Sequence, residues 1–261
     1  MLLRLRIAPL FAPLLALCMP LPATALDASL PPSGNFALGH WKLTLPVDAQ
    51  GHKVGEAAEV LPPVLTAGYR SNWFRTAADG GLDFWAPVNG ATTDESDYPR
   101  SELRELVDAD DDNVNWSAGD DAVLAANCSI LRVPAGNGKV VIGQIHAFGG
   151  PPLVKLRYQF KAATQTGRLD ALVNVLPTDT GTTAYPLATD IPLGKAFNYR
   201  IEVHGNVLTM SADGGATTTL DIASAWQQYS FYFKAGVYVQ ANGDSSSDGG
   251  WVRFYKLGVS H

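Results

Sequence analysis

The chain reads as an all-β protein of two packed antiparallel sheets, a sandwich or a jelly roll. Three observations lead there. Polar and apolar residues alternate with period two in Trp41 to Leu45, Val154 to Phe160, Leu169 to Val175, Tyr199 to His204, Val207 to Ser211 and Trp251 to Leu257. Turn signals punctuate these runs: Gly136-Asn137-Gly138, Gly149-Gly150-Pro151, Gly205-Asn206 and Asp213-Gly214-Gly215. Long helical periodicity is missing. Many short strands in 261 residues fit two sheets packed face to face. No repeat or linker marks off a second domain, so residues 26–261 are read as one.

At the amino terminus Arg4 and Arg6 precede an apolar run from Ile7 to Leu21, then Pro22 and Ala23-Thr24-Ala25. A charged start, a short apolar stretch and small residues at the cut describe a secretory signal peptide over 1–25. The run is too short and too broken by Pro9, Pro13 and Pro20 for a membrane span. A lipid anchor on Cys18 would need a small residue where Leu17 stands. The expected destination is the periplasm or the medium. Loss of the leader's two positive charges takes the formal net charge from −6 to −8 and leaves Cys128 without a disulfide partner. About 235 residues can bury a large core without staples, and a monomer is expected. With no basic tract and no binding motif, nucleic acid is not an expected partner; nor is a membrane.

Leu26 to Asn35, with Pro31-Pro32, reads as an extended lead-in, and Leu61 to Leu65 as a turn or two of helix at best. Thr219 to Gln228 alone could make a short helix. Thr92 to Tyr98 and Asn242 to Gly250 read as surface loops that shape the ends of a groove. Asp108, Asp110 and Asp112 invite a calcium-loop reading, but that pattern wants glycine at Asn113 and glutamate at Gly119. A solvated acidic loop is the reading.

Three further segments carry chemistry: Arg100-Ser101-Glu102-Leu103-Arg104, Gln144-Ile145-His146, and Tyr232 to Gln240. Each alternates as a strand does. Arg100, Glu102 and Arg104 oppose Leu103; Gln144 and His146 oppose Ile145; Tyr232, Lys234, Tyr238 and Gln240 oppose Phe233, Ala235, Val237 and Val239. A sheet with one functional face would gather guanidinium, amide, imidazole, ammonium and phenol groups, a mixture suited to acid–base chemistry on an acidic polymer. The positive charge of an acidic chain would have to be concentrated there. Lys155 and Arg157 share one face of their strand and would meet further acidic groups of such a polymer.

In order and spacing these three segments resemble the signature regions of polysaccharide lyase family 7, the alginate lyases. Trp41-Lys42-Leu43-Thr44-Leu45-Pro46 and Pro152-Leu153-Val154-Lys155-Leu156-Arg157-Tyr158 resemble its flanking strands, so the likeness spans the chain after the leader. Val239 stands where many members have asparagine, on the inward parity. The resemblance implies a β-jelly roll with a concave substrate groove and β-elimination on alginate, a polymer of mannuronate and guluronate. It places Arg100 and Gln144 at the substrate carboxylate. His146 and Tyr238 are the candidates for base and acid, with Glu102, Arg104, Tyr232, Lys234 and Gln240 as further substrate contacts. Isoleucine at the centre of the Gln-x-His motif, here Ile145, implies a preference for guluronate or mixed blocks.

Elimination across a uronate removes a carbon-bound proton beside a carboxylate and expels the glycosidic oxygen. Donors aimed at the carboxylate spread the developing charge, and a base and an acid move the two protons. Cations such as Arg104 and Lys234 near Tyr238 would favour its phenolate. No metal or organic cofactor is called for. Two rivals from other classes stand beside this reading. A glycoside hydrolase needs two facing carboxylates, but Glu102 and Glu105, three residues apart in a strand, point to opposite faces. A non-catalytic lectin would rely on exposed aromatics such as Trp73, Trp85 and Trp116.

Overall fold

The computed structural model describes residues 25–53, 55–94 and 96–261, so the leader read over 1–25 lies, apart from Ala25, outside the described residues. The first half of the chain supplies β1 (Trp41–Thr44), β2 (Glu59–Val60), β3 (Phe74–Thr76), β4 (Leu82–Pro87), β5 (Arg100–Glu105), β6 (Trp116–Ser117), β7 (Ala122–Arg132) and β8 (Lys139–Ala147). The second half adds β9 (Pro152–Lys161), β10 (Thr166–Val173), β11 (Thr183–Pro192), β12 (Ala196–His204), β13 (Val207–Ala212), β14 (Thr218–Asp221), β15 (Ser230–Val239) and β16 (Gly249–Ser260). One sheet runs β11-β10-β9-β8-β15-β5-β1-β2, with β6 on the start of β15; the other runs β14-β13-β12-β7-β16-β4-β3. The result is an antiparallel jelly-roll sandwich, as the alternation predicts.

Between the sheets lie Leu103, Ile145, Leu156, Phe233 and Val237 from the first and Phe84, Cys128, Ile201, Val252 and Phe254 from the second, all without solvent exposure. Phe84 meets Phe74 and Phe254 edge-on, at 5.2 and 5.4 Å between centroids. Each such side chain contributes about 1.5–3 kcal/mol by leaving water. That core fixes which parity of each strand faces outward. Among the described residues helix is confined to α1 (Pro32–Asn35), α2 (Pro62–Thr66) and a 3₁₀ turn at Ser224–Gln228. α2 falls where a turn or two was expected. The single helix expected over Thr219 to Gln228 does not form. Thr218 to Asp221 pair with β13 instead, as β-branched residues favour, and only the following turn is helical, with Trp226 buried. No helix among the described residues is long and apolar enough to cross a membrane.

Register builds the site. Lys42 lies opposite Arg104, Arg104 opposite Lys234, Lys234 opposite Gln144, and Gln144 opposite Lys155. Cross-strand partners share a face, so one row of polar side chains crosses β1, β5, β15, β8 and β9 at about 4.8 Å per step. Gly236 lets β15 close against β5 at the point that matters. Its φ is +148° and it pairs with Glu102; a Cβ there would lie 2.5 Å from the Ser101 oxygen and 2.8 Å from Glu102 Cα. Register with β8 also shifts here, between Ala235 and Tyr238. Gly236→Ala should therefore cost roughly 1–3 kcal/mol, read as a lowered midpoint in urea or thermal unfolding; an unchanged midpoint would show that the strands have slack here.

Candidate active site

The site is organised around Glu102. This carboxylate has no solvent exposure and three partners: Arg100 Nη1 at 3.1 Å, Lys234 Nζ at 3.1 Å and Gln144 Nε2 at 2.6 Å. Burial would raise its carboxyl, but the charges of Lys234 and Arg100 and the Gln144 bond outweigh it and hold the group below the ordinary carboxylate range. Because a carboxylate only accepts, Gln144 must turn its NH₂ toward Glu102. Its second N–H and its oxygen remain for a ligand. Glu102 is thus on the expected face but beneath it, and the expectation that it contacts substrate is corrected: it has no exposed surface, and three protein groups already meet its carboxylate.

On one side of this hub stand His146 and Tyr232, rings stacked at 5.5 Å and 13°. His146 Nδ1 lies 2.9 Å from the Ala147 carbonyl, and Tyr232 Oη lies 3.3 Å from the same nitrogen. A carbonyl cannot donate, so Nδ1 carries the proton and Nε2 holds a free lone pair. Burial, then the nearby Lys234 charge, pushes His146 down to about 3, against the Ala147 bond. The imidazole is therefore neutral at ordinary pH, the form a base requires. Burial also raises the Tyr232 phenol despite Arg104. The Arg104 guanidinium lies 4.1 Å from the Tyr232 ring centre and is bonded to the Glu105 and Asp112 carbonyls and to Asn115 Oδ1. Arg104, expected to bind substrate, lines the cavity above the hub and also props Tyr232.

On the other side Tyr238 lies under Arg100, whose guanidinium carbon is 3.9 Å from the ring centre. The cation at this phenol is thus Arg100, not Arg104 or Lys234 as expected. Ser96 Oγ lies 2.7 Å from Arg100 Nη2 and 3.0 Å from Tyr238 Oη. Neither His146 nor Tyr238 projects freely; both are half-buried. A cavity of about 230 Å³ opens above the hub, lined by Lys42, Arg100, Arg104, His146, Tyr232 and Lys234 among others. Among the described residues no group of three or more His, Cys, Asp or Glu is arranged to hold a metal ion.

Beyond the cavity the first sheet continues with half-buried Lys155, whose ammonium is pushed down by burial and by Arg100 and Arg157. Arg157 and Arg168 share the buried carboxylate of Asp170, at 3.1 and 2.9 Å. Gln240, an expected substrate contact, lies just past the end of β15, half-buried, with its amide donating to the Val239 carbonyl. Lys42, Arg168 and Ser96 went unremarked in the sequence. Lys42 and Arg168 sit at outward parity in readable strands, which is a usable signal; Ser96 sits in an aperiodic loop and had none. The acidic loop folds on itself through Asp108 and Asp111, and Asp112 pairs with Lys42 at 3.1 Å.

The rival readings lose their footing here. Glu105 points inward, bonded to Trp116 Nε1, the Phe233 amide and His261 Nε2, so it cannot face Glu102 across a substrate. Trp116 is buried against Phe231 and Phe233. Trp73 and Trp85 lie outside the cavity under Lys53 and Arg132. Fold and site together define a carbon–oxygen lyase acting on an acidic polysaccharide. The family model described as alginate lyase matches residues 36–261. An alginate lyase of Klebsiella pneumoniae is 31% identical over 88% of this chain and 91% of its own. Among solved structures, an alginate lyase from Pseudomonas aeruginosa is 40% identical over 86% of this chain and 99% of its own, at TM-score 0.78. Alginate lyase A1-II′, a member of polysaccharide lyase family 7, is 35% identical over 88% of this chain and 98% of its own, also at 0.78; substituted variants of it have been solved with product (GGG) and with substrate (GGMG). The chain belongs to the alginate lyases of polysaccharide lyase family 7.

Burial, with Arg100 beside it, pushes the Lys234 ammonium down to about 8 against the pull of Glu102. Its charge is therefore present below that pH and lost above it. We expect kcat/KM, which reports the free enzyme, to fall as pH rises through about 8, and Lys234→Arg to move that fall upward. A limb that stays in place in Lys234→Arg would clear Lys234 of responsibility.

Proposed function

We propose that this alginate lyase cleaves its polymer with Arg100 and Gln144 at the carboxylate of the reacting uronate, His146 as base and Tyr238 as acid. The observation that carries the assignment is the neutral His146, its Nε2 lone pair unspent, beside cations held by one buried carboxylate. A uronate carboxylate above the hub meets the remaining Gln144 N–H and the Arg100 guanidinium. Negative charge developing on the adjacent carbon spreads onto those oxygens, which the site stabilises more than the ground state. Nε2 takes the carbon-bound proton, the electron pair forms the new double bond, the glycosidic C–O bond breaks, and Tyr238 protonates the leaving oxygen. The complexes of A1-II′ with alginate oligosaccharides support an acidic polysaccharide as the partner here. Lys155, Arg157 and Lys42 extend the cationic row for neighbouring sugars. The leader pattern supports export to the periplasm or the medium.

We further propose a preference for guluronate or mixed blocks. In guluronate the reacting proton and the leaving oxygen call for groups on opposite sides, which suits a base and an acid supplied by different strands. Ile145, buried in the core between Gln144 and His146, acts only through the position of that strand. Elimination creates an unsaturated, ultraviolet-absorbing sugar end, so initial rates on block-purified polyguluronate and polymannuronate test both points. We expect the native chain to be faster on polyguluronate, and Tyr238→Phe and His146→Ala each to lose about 10²–10⁴ in rate with an unchanged circular dichroism spectrum. Near-normal turnover in Tyr238→Phe would remove Tyr238 from the role of acid, and a native enzyme faster on polymannuronate would overturn the preference.

A further inference from the structure

Among the described residues, Ser96 is the one hydrogen-bonded to both Arg100 and Tyr238 that the reaction as described leaves without a part. Its Oγ lies 2.7 Å from Arg100 Nη2, 3.0 Å from Tyr238 Oη, 3.1 Å from the Tyr98 carbonyl and 3.3 Å from the Tyr98 amide nitrogen. A serine hydroxyl has one proton and two lone pairs. The guanidinium and the amide can only donate, so they face the lone pairs, with Arg100 at much the shorter distance. The serine proton has two acceptors, the Tyr98 carbonyl and the Tyr238 oxygen. While Tyr238 keeps its own proton, the serine proton turned onto the Tyr238 oxygen leaves the Tyr238 O–H free to point at the leaving oxygen. Once Tyr238 has lost that proton, its oxygen can only accept, and the serine proton stays on it rather than on the Tyr98 carbonyl. Arg100 holds Oγ through both states and sets positive charge behind it. The Tyr238 ring is fixed separately by the guanidinium on its face and by Tyr98, centroids 6.3 Å apart; the direction of its O–H bond is left to Ser96.

We propose that Ser96 is a positioning residue for the elimination: it aims the Tyr238 hydroxyl and donates to the phenolate formed when Tyr238 protonates the leaving oxygen. The inference rests on Tyr238 being the acid. In that step the Tyr238 O–H bond breaks, the proton passes to the glycosidic oxygen, and the electron pair stays on the phenolate. The proton taken from carbon sits on His146 and returns through solvent to Tyr238 before the next cycle, so no co-reactant is needed.

The test is kcat and KM on polyguluronate for the native chain, Ser96→Ala, Ser96→Thr and Tyr238→Phe, followed by the absorbance of the unsaturated product. Loss of one donor to a developing oxyanion costs about 10²–10³ in kcat. We expect a loss approaching that range in Ser96→Ala, with KM within about twofold of native, and recovery of most of it in Ser96→Thr, which restores the hydroxyl. A near-native kcat in Ser96→Ala beside an inactive Tyr238→Phe would overturn this inference and leave the active-site assignment standing. An active Tyr238→Phe would overturn the assignment itself. A rise in KM with kcat held would overturn the inference too, because Ser96 would then serve only the grip of Arg100 on substrate. Failure of threonine to rescue would show that the packing of the loop, not the hydroxyl, matters.

Discussion

A carboxylate with no route to solvent holds this site together. Taking an ion such as Glu102 out of water costs several kcal/mol even after relaxation, and the cost is met only because Arg100, Lys234 and Gln144 converge on it from three strands. Each partner is constrained in return. Gln144 cannot flip, Arg100 is pulled over Tyr238, and Lys234 is held at the centre of the row that crosses five strands. Gly236 is the backbone condition for all of this, since a side chain there would part β15 from β5 where Glu102 sits.

The same hub resolves an apparent mismatch between an acidic chain and an acidic polymer. Net charge acts at long range, where salt screens it within about 10 Å at ordinary ionic strength. Contacts in the groove are set locally. There Arg157 and Arg168 share the single carboxylate of Asp170, and Lys155 stands near Arg100 and Arg157 rather than beside an acid. Crowding of cations has a second effect: with burial it keeps His146 unprotonated. The environment that attracts the substrate carboxylate thus also keeps the base in its working form.

Much of this was legible in the sequence wherever one face of a strand is polar and the other apolar. Lys155 and Arg157 against Val154 and Leu156, or Tyr232 and Lys234 against Phe233 and Ala235, announce strand and face together. β7 escaped notice because Val123 and Ala125 make its outer face apolar beside Leu124 and Ala126, which erases the period. β4 hides a buried charge, Asp83, held by Arg253 from β16 at 2.6 Å, a pairing across 170 residues that local pattern cannot show. β11 contains Pro186, which argues against a central strand and is tolerated at the edge where β11 lies. In the site, parity identified the face but not the depth. Glu102 and Arg104 share a face with Lys234, yet one lies beneath it and the other is tied to backbone carbonyls. Depth depends on how closely strands approach, and so on long-range register.

The most direct measurement is the turnover of Glu102→Gln, a change that keeps the shape, removes the charge and alters no group placed in contact with substrate. Without the carboxylate Gln144 is free to flip, Arg100 loses its tether and Lys234 is left buried with no counter-charge. If the buried carboxylate organises the site, kcat on polyguluronate should fall by about 10²-fold or more, the scale on which small misplacements of reacting groups act, in protein that still folds by circular dichroism. A folded Glu102→Gln with kcat within about twofold of native would contradict the account.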